Sequence, residues 1–119
     1  MSDAFHKDCP ARMVLDHVSG RWAVLVLTAL RDGPQRFHEL RAEVEGVSEK
    51  MLSQTLRTLV RDGFVHRTVK PSTPPQVSYA LTGLGGGVTG AVQPLFDWVR
   101  DHADDILAAQ AAHDAAASG

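Results

Sequence analysis

Apolar positions recur along this chain at two spacings, and the change from one to the other marks where helices give way to strands. Met13, Val14, Leu15 and Val18 follow Pro10, which suits a helix's first position because the N–H it lacks would have no intrahelical partner there. The pattern predicts a first helix from Pro10 to about Val18, closed by Ser19-Gly20. From Arg21 to about Arg31 the chain is apolar nearly all round, which predicts a buried second helix stopped at Gly33-Pro34. Phe37 to about Val44 gives a short third helix with Leu40 and Val44 inward, and Glu45-Gly46-Val47 a tight turn.

Ser48 is a good N-cap for a fourth helix reaching Arg61, although Met51 stands where a capping box would place Glu or Gln. Leu52, Leu56, Leu59 and Val60 recur at helical spacing and face a core. Lys50, Ser53, Gln54, Arg57 and Arg61 share the opposite side. After Asp62-Gly63 the period changes. Phe64 to Lys70 reads as a strand, Pro71-Ser72-Thr73-Pro74-Pro75 as a loop that cannot enter a sheet, and Val77 to Thr82 as a half-buried strand. Two strands around a proline-rich tip, directly behind two short helices and a turn, make a wing.

Leu84 to about Ala108 reads as a last helix. Gly85, Gly86, Gly87 and Gly90 each weaken it by up to about 1 kcal/mol, and Pro94 is expected to kink it or start it afresh. Leu95, Trp98, Val99, His102, Ile106 and Leu107 form an apolar stripe, and the alanine-rich end is expected to fray. Helices ahead of a small antiparallel sheet exclude a parallel α/β fold and predict an α+β winged helix-turn-helix.

At 119 residues, 44% hydrophobic and 22% charged, the chain has room for one globular domain. No run approaches the 18 or so apolar residues of a membrane span, and the start MSDAFHKDCP lacks the pattern of a secretory signal. With its single cysteine, this predicts a cytoplasmic protein without disulfides. The net charge of −2 argues against nucleic acid only until its distribution is seen. Lys50, Arg57, Arg61, Arg67 and Lys70 face only Asp62 between residues 50 and 80. Asp97, Asp101, Asp104, Asp105 and Asp114 face only Arg100 beyond residue 96. A basic middle and an acidic tail fit one face turned to DNA and another turned away.

Several segments, in order, resemble the HxlR-type family of bacterial winged-helix regulators. They are Cys9-Pro10, Gly20-Arg21-Trp22, DGPQRFHEL from Asp32, VSEKMLSQTLRTLVRDGFVHRTV from Val47 and PPQVSYALTGLG from Pro74, with Trp98 late in the last helix. Gln76 departs from the pattern, standing where an arginine is common at the wing. The resemblance implies a homodimer on a palindromic operator, most simply as a repressor, with the first and last helices at the dimer interface. That assigns Met13, Leu95, Trp98, Val99, His102 and Ile106 to the interface. It further implies a sensor of electrophiles or oxidants at Cys9.

The residues themselves divide into three candidate sites. On the fourth helix, Gln54 suits adenine, Arg57 guanine or phosphate, and Ser53 either, while Ser48, Lys50 and Arg61 suit the backbone. At the wing, Lys70, Ser72, Thr73 and Gln76 could reach phosphate or a minor groove, and Arg67 reads as belonging to the strand's exposed edge. Cys9 precedes a helix N-terminus, whose positive end favours thiolate, with Lys7 and Arg12 adding to that and Asp8 opposing it. The plain alternatives are a solvated helix face, a solvent-facing hairpin and a small half-buried side chain. His6 and Cys9 are spaced like a metal pair that His102 could join, but a four-coordinate site needs more ligands, so neither metal nor cofactor is expected. His17, His38 and His66 read as ordinary surface or boundary residues. Nothing forms a nucleophile–base–orienter set or a phosphate-cradling glycine loop, which speaks against an enzyme.

The resulting division is a dimerisation segment (1–20), a winged-helix core (21–83), a dimerisation helix (84–110) and a frayed tail (111–119). Two other readings compete with the cysteine-triggered regulator. One is a regulator controlled by a small aromatic ligand at the dimer interface, in an apolar pocket between the first and last helices, with Trp22, Phe96 and Trp98 read as core and interface; the other is a winged-helix module for protein–protein contact.

Overall fold

The computed structural model describes residues 9–118. Its first helix, α1 (Pro10–Ser19), buries Val18 and leaves Met13 and Leu15 exposed beside Arg12 and Asp16. The nearly all-apolar α2 (Arg21–Ala29) buries Ala23, Val24, Val26, Leu27 and Ala29 and forms the middle of the core. It ends earlier than its apolar run suggests, in a 3₁₀ turn over Leu30–Asp32 that closes at Gly33, whose φ of 140° only glycine adopts readily. A two-residue strand, β1 (Gln35–Arg36), follows, and the sequence pattern gave no sign of it.

The helix-turn-helix comprises α3 (Phe37–Glu43) and α4 (Glu49–Arg61). The Glu39 carboxylate accepts the Arg36 N–H at 2.8 Å and closes the start of α3. Ser48 caps α4 by accepting the Met51 N–H at 3.1 Å. At the other end, the Gly63 N–H donates to the Val60 carbonyl and the Phe64 N–H to that of Leu59. Gly63 sits at φ 84°, so the end of α4 is a Schellman cap. Leu59 and Phe64, joined by that cap, both enter the core with Leu52 and Leu56.

Strands β2 (Val65–Lys70) and β3 (Gln76–Leu81) pair antiparallel from Val65↔Leu81 to Lys70↔Gln76. β1 adds to the far side of β3 through Gln35↔Tyr79 and Arg36↔Ser78. The sheet order is therefore β1-β3-β2, with β3 central and β1 and β2 at the edges. Gln35 also donates to the Ala29 carbonyl and to Glu43, both at 2.7 Å, so this short strand ties α2, the sheet and α3 together.

The C-terminal half differs from the helix expected from Leu84 to Ala108, kinked or restarted at Pro94. α5 (Gly83–Asp101) passes through Pro94, and the chain breaks instead at His102, where φ is −109° and ψ 12°. There the imidazole Nδ1 lies 2.7 Å from the Trp98 carbonyl, the acceptor that the His102 N–H also uses. Asp104 and Asp105 then favour the start of α6 (Ala103–Ser118). The helix continues to Ser118, past residue 111, where the sequence reading begins the frayed tail.

Candidate nucleic-acid interface

The leucine stripe that packs α4 decides what the helix shows to solvent. With Leu52, Leu56 and Leu59 at or near zero exposure, Lys50, Gln54, Arg57 and Arg61 must stand on the outer side, and all four are exposed; Ser53 is half-buried at the flank. Ser48 is exposed at the helix start, but its hydroxyl is engaged as the cap. The structure thus brings the predicted side chains of α4 onto one face.

At the wing, Lys70, Ser72, Thr73 and Gln76 are all exposed, with Lys70 and Gln76 opposite each other at the mouth of the loop. The Ser72 hydroxyl donates to the Pro74 carbonyl at 2.6 Å, so it is partly committed to shaping the loop.

Arg67 is exposed on the edge strand β2, as the sequence suggests, and lies directly opposite Tyr79 across the β2–β3 ladder. Side chains opposite each other share a face of the sheet, and Val65, two residues earlier on that face, is buried in the core. Arg67 therefore projects on the α4 side. It lines an open cleft of about 370 Å³ between α4 and the sheet, with Ser53, Arg57, Arg61 and Tyr79 among its walls. The period-2 alternation from Val65 carried this signal.

A second cleft, of about 300 Å³, lies on the other flank of α4, between Met51, Gln54, Thr55 and Thr58 and the α1–α2 turn at His17, Gly20, Arg21 and Trp22. Arg21 lies over the Trp22 ring at 4.3 Å. Below this cleft, His17 Nδ1 meets the Asp62 carboxylate at 2.6 Å and links α1 to the end of α4. Sequence reasoning missed this pair because its members are far apart in the chain.

The predicted interface side chains fall on α1, α5 and α6. Met13, Leu95, Trp98 and Val99 are 45–62% exposed, while His102 and Ile106 are half-buried. The Trp98 and His102 rings stack at 4.1 Å. Cys9 is buried directly ahead of α1. His6, Lys7 and Asp8, which the sequence reading sets around it, lie outside the described residues. Among the described residues no three or more metal-ligating side chains converge, and no single helix is long and apolar enough to cross a membrane.

The sequence model of the HxlR-like helix-turn-helix family matches residues 17–106. The chain is 49% identical over 104 residues to the uncharacterized HTH-type transcriptional regulator YtfH of Escherichia coli (strain K12), covering 87% of this chain and 82% of that one. The solved structure of the regulator ytfH from Salmonella typhimurium superposes with a TM-score of 0.87 at 47% identity, over 92% of this chain and 98% of the other. The redox regulator HypR, in its reduced form, superposes with a TM-score of 0.75 at 32% identity, over 83% and 98%. These neighbours place the fold among the winged-helix transcriptional regulators.

Proposed function

Because the chain belongs to the HxlR-like helix-turn-helix family of DNA-binding transcriptional regulators, we propose that it binds a palindromic operator as a homodimer and represses transcription there. The observation that carries this reading is the outer face of α4. Lys50, Gln54, Arg57 and Arg61 stand exposed on one face, beside a wing with Lys70 and Gln76 at the mouth of its loop. In a dimer, two copies of α4 enter successive major grooves about 34 Å apart. Gln54 and Arg57 read base edges, while Ser48, Ser53, Lys50, Arg61 and the wing residues Lys70, Ser72, Thr73 and Gln76 hold the backbone. The partner copy packs on Met13, Leu95, Trp98, Val99, His102 and Ile106.

A duplex from the protein's own upstream region tests this by gel shift at several salt concentrations. Arg57→Ala is expected to weaken operator binding by about tenfold or more. Lys70→Ala is expected to weaken operator and unrelated duplex alike and to flatten the salt dependence. If both variants bind like the parent, the helix-face reading is wrong.

A second reading is favoured by the likeness to HypR, a redox regulator. Cys9 sits at the start of a helix on the proposed dimer face, so modification of its sulfur would disturb the spacing of the two α4 helices. Adding an electrophile to the same assay is expected to release the parent from DNA and leave Cys9→Ser bound. Release of both would remove Cys9 from the mechanism without touching the DNA reading.

A further inference from the structure

Three arginines line one cleft where the wing joins the recognition helix, and among the described residues no acid pairs with them. Arg57 and Arg61, one turn apart on α4, and Arg67 on β2 line the same cleft. No described residue forms an ion pair with any of the three; the described pairs are His17–Asp62, Arg41–Glu49 and Arg100 with Asp97 and Asp101. Asp62, the acid next to Arg61 in sequence, is turned to His17. Ser53 and Tyr79 add two hydroxyl groups to the walls. Like charges gathered without a counter-charge repel one another unless an anion neutralises them. Guanidinium forks with nearby hydroxyl donors match the oxygens of a phosphate.

We infer that this cleft seats one phosphate of the duplex backbone, gripped from the helix side by Arg57 and Arg61 and from the wing side by Arg67. The inference rests on the DNA-binding reading above and adds to it Arg67, a residue assigned no role there, and one shared phosphate that joins it to Arg57 and Arg61. Its consequence is mechanical: a single phosphate bridges α4 and β2, so the wing and the recognition helix are fixed on the duplex as one unit. Arg57 turns partly from base reader to phosphate ligand in this arrangement, and Arg67 becomes a positioning residue with no role in sequence choice.

The test measures affinity for operator and for unrelated duplex across a salt series, using the full chain and its Arg67→Ala and Arg67→Lys variants. Arg67→Ala is expected to lose about tenfold on both duplexes at low salt. Its slope of log affinity against log salt should fall by about 0.9 per site, as the loss of one phosphate contact requires. Arg67→Lys is expected to keep the slope while recovering only part of the affinity, because an ammonium lacks the fork. Arg67 is exposed, so the folded state of both variants can be verified by circular dichroism.

An Arg67→Ala variant with the parent's slope, or a loss confined to the operator, overturns the assignment and leaves the DNA reading standing. If no duplex binds the parent at all, both fall together. Titration with inorganic phosphate alone separates a free oxyanion from the backbone. Tight phosphate binding to the parent, lost in Arg67→Ala while DNA affinity is unchanged, would take the cleft away from the duplex.

Discussion

An aspartate at the C-terminal end of a helix meets the negative end of the helix dipole, so Asp62 at the cap of α4 is unfavourable by itself. His17 offsets this at 2.6 Å, in a contact where the two side chains are only 25% and 10% exposed. Removing the carboxylate should therefore do more than remove a surface charge. Asp62→Ala is expected to lower stability by about 2 kcal/mol and Asp62→Asn by less, read from urea midpoints at a common slope. An alanine variant as stable as the parent would show that the pair contributes nothing. The two kinds of residue in this region were unequally legible. Lys50, Gln54, Arg57 and Arg61 could be found from sequence because one helical period fixes their side once Leu52, Leu56 and Leu59 are inward. His17 and Asp62 could not, since no local pattern joins residues on separate helices. Arg67 lay between these cases: its alternation with Val65 was present, but the face it selects becomes clear only with its partner Tyr79.

Element boundaries show the same division between local and distant causes. Helices α1 to α4 and the two long strands follow from apolar periodicity and from stop signals such as Gly63. β1 does not, because two residues carry no period and its existence depends on β3 being beside it. The glycine-rich start of α5 looked like a uniformly poor helix, yet its glycines are not equivalent. A Cβ on Gly85 would lie 1.9 Å from the Phe64 carbonyl oxygen, whereas one on Gly87 would meet nothing within 4 Å. Thr82 explains the close approach. Its hydroxyl donates to the Gly63 carbonyl at 2.5 Å and accepts the Gly85 N–H at 3.0 Å, drawing the start of α5 onto the turn that ends α4. Gly85→Ala is expected to cost about 3 kcal/mol or more, through displaced backbone. Gly87→Ala is expected to gain up to about 1 kcal/mol. Thermal melts that move in the same direction for both would contradict this account of α5.

As a whole the molecule is extended, 64 × 38 × 23 Å, and no residue of α6 is buried. A 16-residue helix with no buried face is marginal in water, and Leu15, Leu95 and Leu107 are each more than half exposed. A second copy supplies the missing cover in the proposed dimer. Leu95→Glu is expected to convert it to monomer by sedimentation equilibrium, with helix content retained and operator affinity down by about tenfold or more; a variant that remains dimeric would move the interface elsewhere. Beyond pairing, the sheet has its own bearing on how copies meet. β2 is the longer of the two edge strands, and an edge strand offers a row of backbone donors and acceptors to any other chain that can align with it. Arg67 and Lys70 punctuate that row, so a second β2 laid alongside would bring cation against cation. The positive charge along this edge, which the proposed function assigns to DNA, is thus expected to act also as a solubility device, keeping the sheet from growing edge to edge into a fibre.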